Sequence, residues 1–286
     1  MQAVIELLEY ILLGFVEGIA SILPISSNGH ILFLKEILNI DADSGVLLLL
    51  ILNLGSMLGI IIYFKKELRS YINSGFCYFF RRKCDIVITE DLHGMRNILI
   101  GIFPLLVGGS IMTFFIEDIF AQNIMVIIGL GSLMTATVLY LVRNLTNSGV
   151  KKVISAQDAW FIGLMQVLAL FPGFSRLAVT TAAGVNRKLS MDTTLKFVFL
   201  MYIPVSLATF FGTLLSYQFD FNYILADFDP SNTLSYINFF FGFVVSAIST
   251  VFALKLIFVI FRKGNMAIFY IYNLIFGLTA IFIGIS

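Results

Sequence analysis

Three ionisable side chains, Glu17, His30 and Arg176, stand within otherwise apolar stretches of this 286-residue chain. An arginine guanidinium presents a planar set of donors that matches the oxygens of a phosphate. A carboxylate such as that of Glu17 can hold a divalent metal ion or orient an imidazole ring. Together these residue types predict a site that binds a phosphate group and acts on it.

Ser27 and His30 are three residues apart, so on one helix they share a face. That spacing lets the histidine act as a base toward a hydroxyl or a water, or as an acid toward a leaving phosphate. The nucleophile stays open at this point: Ser27, His30 and an activated water all fit. The nearby polar or small residues are candidates for substrate binding: Ser26, Asn28, Asn53, Ser56, Gly173, Ser175 and Thr180.

The composition places these residues in a membrane. Hydrophobic residues make up 59% of the chain and charged residues only 12%, with a mean hydropathy of +0.98. Soluble domains carry about 25% charged residues, and a nucleic-acid binder would be strongly basic, whereas the net charge here is +1. Six runs approach the roughly 20 residues that a membrane-spanning helix needs: 45–64, 96–116, 123–142, 194–217, 236–261 and 266–285.

Two further apolar regions, about 4–38 and 158–190, are interrupted by proline with serine and glycine, in LPISSNGH (23–30) and FPGFSR (171–176). Proline lacks a backbone donor and disfavours a helix at the residue before it. Each region therefore predicts two helices, both too short to span, that form a re-entrant hairpin. The helix N-termini that follow the prolines would attract an anion.

Charge placement predicts the orientation. The stretch 65–96 holds seven Lys or Arg residues, whereas 218–235 holds three Asp and no base. The positive-inside rule places the basic stretch in the cytoplasm, with 65–95 as a cytoplasmic connector. Six spans then put both termini outside, with the first hairpin entering from outside and the second from inside.

An internal repeat agrees with this inversion and predicts one membrane domain, 1–286, with halves at approximately 1–142 and 150–286. Segment 13–29 aligns with 162–178 at an offset of 149, which becomes 148 after a slip of one residue. Inverted repeats of this kind place polar sites near the midplane. The fold class is therefore an all-α integral membrane protein with six transmembrane helices and two re-entrant hairpins. The matched pairs include Gly14/Gly163, Glu17/Gln166, Pro24/Pro172 and Ser27/Ser175.

The strings EGIASILPISSNGH (17–30), NLGS (53–56) and LALFPGFSR (168–176) resemble the undecaprenyl-diphosphate phosphatase family of the bacterial cytoplasmic membrane, which is linked to bacitracin resistance. The resemblance implies removal of one phosphate from a C55-isoprenyl diphosphate at the outer face, with a divalent cation, Mg²⁺ or Ca²⁺. It also implies a multi-pass protein of the inner membrane, a polyprenyl diphosphate lipid as partner and a homodimer.

By the same resemblance, Glu17 handles the metal or the head group, and Ser27 and His30 supply the nucleophile and the acid or base. Ser175 and Arg176 would hold the diphosphate, and Thr180 matches a hydroxyl near the head group.

The chain departs from the family motif at Ser21, where the pattern ExxxE has a second acid, and in SRLAVT, where SRSGAT is usual. This makes it a divergent member. The leading interpretation is hydrolysis of the lipid diphosphate. The alternatives are a non-hydrolytic carrier that moves a polyprenyl phosphate between leaflets, and an inactive or regulatory homologue.

Overall fold

The computed structural model describes residues 2–38, 46–81, 86–120, 123–144, 150–216, 233–262 and 266–285. Within these ranges the chain is helical and forms no strand. The predicted topology of six spans with both termini outside also places the loops 39–44 and 218–235 outside, and these loops lie wholly or mostly beyond the described ranges. The described residues form eleven α-helices: α1 (Gln2–Ala20), α2 (Ser27–Leu38), α3 (Val46–Tyr63), α4 (Lys65–Phe76), α5 (Ile86–Phe120), α6 (Ile124–Val142), α7 (Ala156–Val167), α8 (Arg176–Asn186), α9 (Met191–Ser216), α10 (Thr233–Arg262) and α11 (Ala267–Ile285).

Six of these helices, α3, α5, α6, α9, α10 and α11, are long and apolar enough to cross a membrane. They correspond one to one with the six predicted spans, which confirms a multi-pass helical membrane protein. Their lipid-facing surfaces carry exposed apolar side chains such as Phe240, Phe252 and Phe282. In water such surfaces would be a liability, but in hydrocarbon they are the expected exterior.

The largest difference from the predicted spans lies at α5. It begins at Ile86, ten residues earlier than the predicted span, and runs for 35 residues, because the charged residues before position 96 lower the hydropathy without ending the helix. The segment 65–95 is accordingly not an irregular connector in the described residues. It contains α4, a π-helical turn (Cys77–Arg81) and the first turns of α5.

The two proline-containing regions each break into two helices, as the sequence predicts. The first break separates α1 from α2 around Pro24. The second separates α7, which is extended by a 3₁₀ turn (Leu168–Leu170), from α8. The predicted length is wrong for α1, which has 19 residues and so approaches the roughly 20 residues of a full span.

Pairs of glycines bring the long helices into backbone contact. Gly14 of α1 lies against Gly242 of α10, and Gly163 of α7 lies against Gly101 of α5. In both pairs a Cβ built on the first glycine would collide with the carbonyl oxygen of its partner. Helices in lipid gain little hydrophobic free energy by associating, so close packing of small residues holds them together.

An ion-pair cluster ties the start of α7 to the end of α8, outside the membrane-spanning helices. The Asp158 carboxylate, 1% exposed, accepts a 2.8 Å hydrogen bond from Arg187 Nε and lies 3.7 Å from Lys151 Nζ. It also completes a capping box with Ser155. Burial alone would raise the pKa of Asp158, but the hydrogen bonds from Arg187 and Ser155 outweigh it and hold the pKa below its usual value.

Replacing Gly163 by alanine should destabilise the protein, because the added methyl group has no space beside the Gly101 carbonyl. Overpacking of this kind costs about 1–3 kcal/mol. The matched control is Gly109→Ala, also within a helix, where nothing lies within 4 Å of the new Cβ. Thermal unfolding in detergent should show a lower Tm for Gly163→Ala only, and equal Tm values for the two variants would contradict the contact.

Candidate active site

A cavity of about 320 Å³ lies where the tips of the two broken regions meet. Its polar wall combines the break between α1 and α2, the starts of α2 and α8, and polar residues of the two spans α3 and α9. The polar or charged lining residues that carry the argument are Ser21, Ser26, Ser27, Asn28, Asn53, Arg176 and Tyr202. The sequence-predicted residues Ser26, Ser27, Asn28, Asn53 and Arg176 are thus brought together.

Glu17 lies just behind this wall and is connected to it by a chain of hydrogen bonds. The Ser21 hydroxyl donates to Glu17 Oε1 at 2.7 Å. Tyr202 OH donates to Ser21 Oγ at 3.4 Å and accepts from Asn53 Nδ2 at 2.8 Å. The carboxylate, 1% exposed, also interacts electrostatically with the Ser27 hydroxyl. The second oxygen, Oε2, is buried without a hydrogen-bond partner.

Arg176 is the first residue of α8, and its side chain borders the cavity. The guanidinium lies 5.4 Å from the centre of the Tyr202 ring, over its face. It interacts electrostatically with Glu17 but forms no direct ion pair with it. No side chain in the described parts of the chain accepts a hydrogen bond from it. A cation held in place with free donors at a cavity wall is suited to bind an anion.

Two helix N-termini face the same cavity. Ser26 precedes α2 and its hydroxyl accepts a hydrogen bond from Gly29 N, while Ser175 precedes α8 and accepts from Ala178 N. Each serine satisfies one of the four N–H groups that a helix leaves unpaired at its start. The remaining first-turn N–H groups and the positive ends of the two helix dipoles favour a bound anion.

His30 is turned away from the cavity that Ser27 lines. Its Nδ1 lies 2.6 Å from the Ser26 carbonyl oxygen and its Nε2 lies 2.7 Å from Tyr272 OH. The ring stacks on Phe276 with a centroid distance of 4.0 Å. Because a carbonyl oxygen only accepts, Nδ1 must carry the proton, and Nε2 of the neutral ring then accepts from the tyrosine.

The remaining sequence-predicted binding residues do not line the cavity. Ser56 bonds to Ser246 Oγ at 2.9 Å, in the contact between α3 and α10. The Thr180 hydroxyl donates to the Arg176 carbonyl oxygen within α8. Gly173 has a φ of +81° and packs against the backbone of Ile128, a conformation and closeness that only glycine allows without strain. Ser175 acts as the N-cap of α8.

Tyr202 is the main functional candidate that the sequence analysis missed. It is the one tyrosine of the apolar helix α9, and it belongs to none of the three sequence strings that resemble the family. The sequence held one clue to its position: Tyr202 follows Asn53 by 149 residues, which is the offset at which segment 13–29 aligns with segment 162–178. Tyr272, which holds His30, carried no such signal.

The donor set at the cavity fits a hard cation only if the substrate supplies ligands. No group of three or more His, Cys, Asp or Glu side chains gathers in a metal-binding arrangement among the described residues. The unpartnered Oε2 of Glu17 is one available carboxylate oxygen. Mg²⁺ is often bound by one or two carboxylates together with substrate phosphates, so one carboxylate is compatible with a shared site.

Comparison with known proteins places this arrangement in a family. The sequence profile of the bacitracin resistance protein BacA family matches residues 10–279. The chain belongs to the BacA family. A protein of Oceanobacillus iheyensis named undecaprenyl-diphosphatase is 32% identical over 275 residues, covering 95% of this chain and 94% of the relative.

Two other relatives carry similar names. Undecaprenyl-diphosphatase 1 of Bacillus licheniformis is 31% identical over 280 residues, with 96% of this chain and 97% of the relative covered. Undecaprenyl-diphosphatase of Acholeplasma laidlawii is 31% identical over 212 residues, covering 72% and 75%. The match extends over the helices that build the cavity, not only over the short motifs.

Inorganic diphosphate should bind the cavity and raise the Tm of the detergent-solubilised protein. A ligand at 100 times its Kd stabilises a protein by about 2.7 kcal/mol. Arg176→Gln should abolish the rise, because it removes the free guanidinium, whereas Arg143→Gln, outside the cavity, should keep it. An equal rise in wild type and Arg176→Gln would place the anion elsewhere.

Proposed function

We propose that this BacA-family chain hydrolyses undecaprenyl diphosphate to undecaprenyl monophosphate and inorganic phosphate, and so recycles a lipid carrier for cell-wall synthesis. The observation that carries the proposal is one cavity lined by two helix N-termini, the Ser27 hydroxyl and a guanidinium that has no side-chain acceptor among the described residues, with a buried carboxylate hydrogen-bonded behind its wall. The names of the relatives supply the substrate class. A lipid substrate suits the site, since its tail can stay in hydrocarbon.

In this proposal the diphosphate binds to Arg176 and to the starts of α2 and α8. The guanidinium can donate two parallel hydrogen bonds to phosphate oxygens. Charge that develops on the terminal phosphoryl group is stabilised by donors that are already in place. The ring face of Tyr202 packs against the Arg176 guanidinium. The Tyr202 hydroxyl accepts a hydrogen bond from Asn53 and so holds that side chain in place.

The nucleophile in this proposal is the Ser27 hydroxyl, which lines the cavity and interacts with Glu17. Glu17 takes the hydroxyl proton as Ser27 Oγ bonds to the terminal phosphorus, and the bond from that phosphorus to the bridging oxygen breaks. Undecaprenyl monophosphate leaves. Water then attacks the phosphoserine, the Oγ–P bond breaks, and inorganic phosphate leaves while the proton on Glu17 returns to Ser27.

His30 has a positioning role in this proposal instead of the acid or base role that the sequence suggested. Both ring nitrogens are engaged, by the Ser26 carbonyl and by Tyr272. By its hydrogen bond to the Ser26 carbonyl, the ring fixes Ser26, which directly precedes Ser27. A leaving phosphate monoester is a weak base, so it needs no proton from a histidine.

A divalent cation, Mg²⁺ or Ca²⁺, is part of the proposal. Glu17 would hold it together with diphosphate oxygens. Such an ion neutralises diphosphate charge and polarises the phosphoryl group. With Ser21 in place of a second acid, the protein contributes one carboxylate.

The proposal includes two re-entrant hairpins in an inverted repeat, forming one membrane domain with halves at 1–142 and 150–286. Repeated contacts support it. α1 packs on α10 at a glycine pair and α7 packs on α5 at another, so each hairpin lies on a helix of the other half. Gly129 and Gly277, 148 residues apart, lie against each other between α6 and α11.

The capping serines support the same repeat and change its alignment. Ser26 and Ser175 both accept a hydrogen bond from the third residue of the following helix, and they are 149 residues apart. Aligned this way, the serines need no slip of one residue, and Ser27 corresponds to Arg176. The proposed nucleophile and the proposed phosphate ligand then open equivalent helices.

We also propose the orientation that charge placement predicts. Inner-membrane location, both termini outside, the 65–95 region in the cytoplasm and a homodimer stay predictions. Cysteine accessibility in intact cells would test the orientation, with labels at residue 2 and at Lys66 on opposite faces.

Phosphate release from undecaprenyl diphosphate in liposomes with Mg²⁺ or Ca²⁺ tests the function. Wild type should release phosphate, whereas Ser27→Ala and Glu17→Gln should lower kcat by about 10²-fold or more, as for lost nucleophiles and bases. Thr137→Ala, an exposed hydroxyl on α6, is the control and should keep full activity. Lipid binding without phosphate release by the wild type would reject hydrolysis and favour the carrier.

Ser21→Glu should tighten cation binding, because it adds a second carboxylate one helical turn from Glu17. The midpoint of Mg²⁺ in phosphate release and in thermal stabilisation should fall to lower concentration. Ser21→Gln, of similar size but uncharged, is the control and should not shift either midpoint. Identical midpoints in the two variants would show that residue 21 does not face the cation.

A further inference from the structure

A second concavity of about 360 Å³ lies between α1 and α10 and is almost entirely apolar. Its principal walls are Phe15, Ile19, Leu23, Ile248, Phe252 and Leu256. Its one hydroxyl, Ser249, donates to the carbonyl oxygens of Val245 and Ser246 and so offers no donor to a ligand. We call this concavity the α1–α10 groove.

The groove exists because the two helices that form it differ in length. α1 and α10 touch through Gly14 and Gly242, and again through Gly18 and Ser246. α1 then ends at Ala20, where the chain turns toward Pro24, while α10 continues to Arg262. Beyond this point the side of α10 that packs on α1 is no longer covered by it. The same helix break that forms the polar cavity therefore also forms the groove.

The groove and the polar cavity share a wall. Leu23, in the break between α1 and α2, lines both. On one side of this leucine are Ser21, Ser26 and Ser27, and on the other are apolar side chains. A molecule with a charged head and an apolar tail could occupy both spaces by passing over one side chain.

The outer rim of the groove is open to lipid. Ile248 and Phe252 are 52% and 67% exposed, on a helix that can span the membrane. A chain of hydrocarbon in the bilayer can therefore enter from the side. Ligand pockets of about 300–1,000 Å³ enclose a molecule of drug size, so the groove holds only the first few isoprene units.

We propose that the α1–α10 groove binds the isoprene units nearest the diphosphate and so orients the polyprenyl chain while its head group occupies the polar cavity. This inference rests on the proposed function for its substrate. Moving a hydrocarbon chain from lipid to an apolar groove releases little hydrophobic free energy. The groove therefore acts on alignment: a held chain keeps the terminal phosphorus in line with Ser27, which is a proximity effect.

The test fills the groove and compares substrates with and without a long chain. Ile248→Trp places a larger side chain in the groove, and Val259→Trp, at an exposed position of the same helix outside the groove, is the matched control. Each variant is assayed with undecaprenyl diphosphate and with dimethylallyl diphosphate, which has a single isoprene unit. Ile248→Trp should lower kcat/KM by about fivefold for the long substrate only, and Val259→Trp should leave both substrates unchanged.

Equal losses on both substrates, or no loss on either, would overturn the inference. A second measurement is independent of turnover and of the variant's folding. Undecaprenyl diphosphate with a photoreactive group in its first isoprene units is cross-linked to the wild-type protein. Label on peptides of α1 and α10 that line the groove supports the inference, whereas label spread over lipid-facing α11 overturns it. If wild type releases phosphate from neither substrate, the proposed function fails, and the cross-links still decide where the chain lies.

Discussion

The structure depends on keeping one acid and one base, Glu17 and Arg176, deep among membrane helices. An ionisable side chain at that depth costs roughly 2.5–3.5 kcal/mol on insertion scales, so each charge needs compensation. Glu17 receives a hydrogen bond from Ser21, which Tyr202 and Asn53 hold in place. Arg176 has the Tyr202 ring and the electrostatic attraction of Glu17, but no direct ion pair. The guanidinium therefore has no direct anionic partner among the described residues, and the anionic head group of the proposed function would supply one.

The helix breaks lower the free-energy cost of burying these two charges in an apolar chain. Proline and serine end one helix and begin the next, so that backbone N–H groups and not only side chains face the charge. Glycine pairs then bring α1 to α10 and α7 to α5 at backbone contact, which carries the two breaks toward each other. The ion pairs of Asp158 hold the start of α7 to the end of α8, away from the break between them. The early end of α1 also leaves one side of α10 uncovered beside the polar cavity, so the same helix break shapes both the polar cavity and the α1–α10 groove.

Much of this fold could be predicted from the sequence, because hydropathy and proline are local signals. The six spans, the two breaks and the meeting of Ser27 and Arg176 at one cavity follow from the length of apolar runs and from the repeat. Contacts between distant helices are not local, and here the prediction was incomplete. His30 shares a helix face with Ser27 in sequence terms, yet Tyr272 and Phe276 of α11 hold its ring away from the cavity. Tyr202 had no motif, and its role rests on its contacts with Asn53 and Ser21. The length of α1 and the start of α5 were missed because acids and bases lower hydropathy without breaking a helix.

The mutual dependence of the two buried charges is best measured by a double-mutant cycle on the free energy of unfolding. The variants are Glu17→Gln, Arg176→Gln and the double substitution, studied without substrate or divalent cations. If each charge compensates the other, the double variant should be more stable than the sum of the single effects predicts, by about 0.5–3 kcal/mol, the range of contacting or networked residues. Strict additivity would mean that Glu17 and Arg176 do not share one electrostatic environment, which would contradict a common site formed by the two helix breaks.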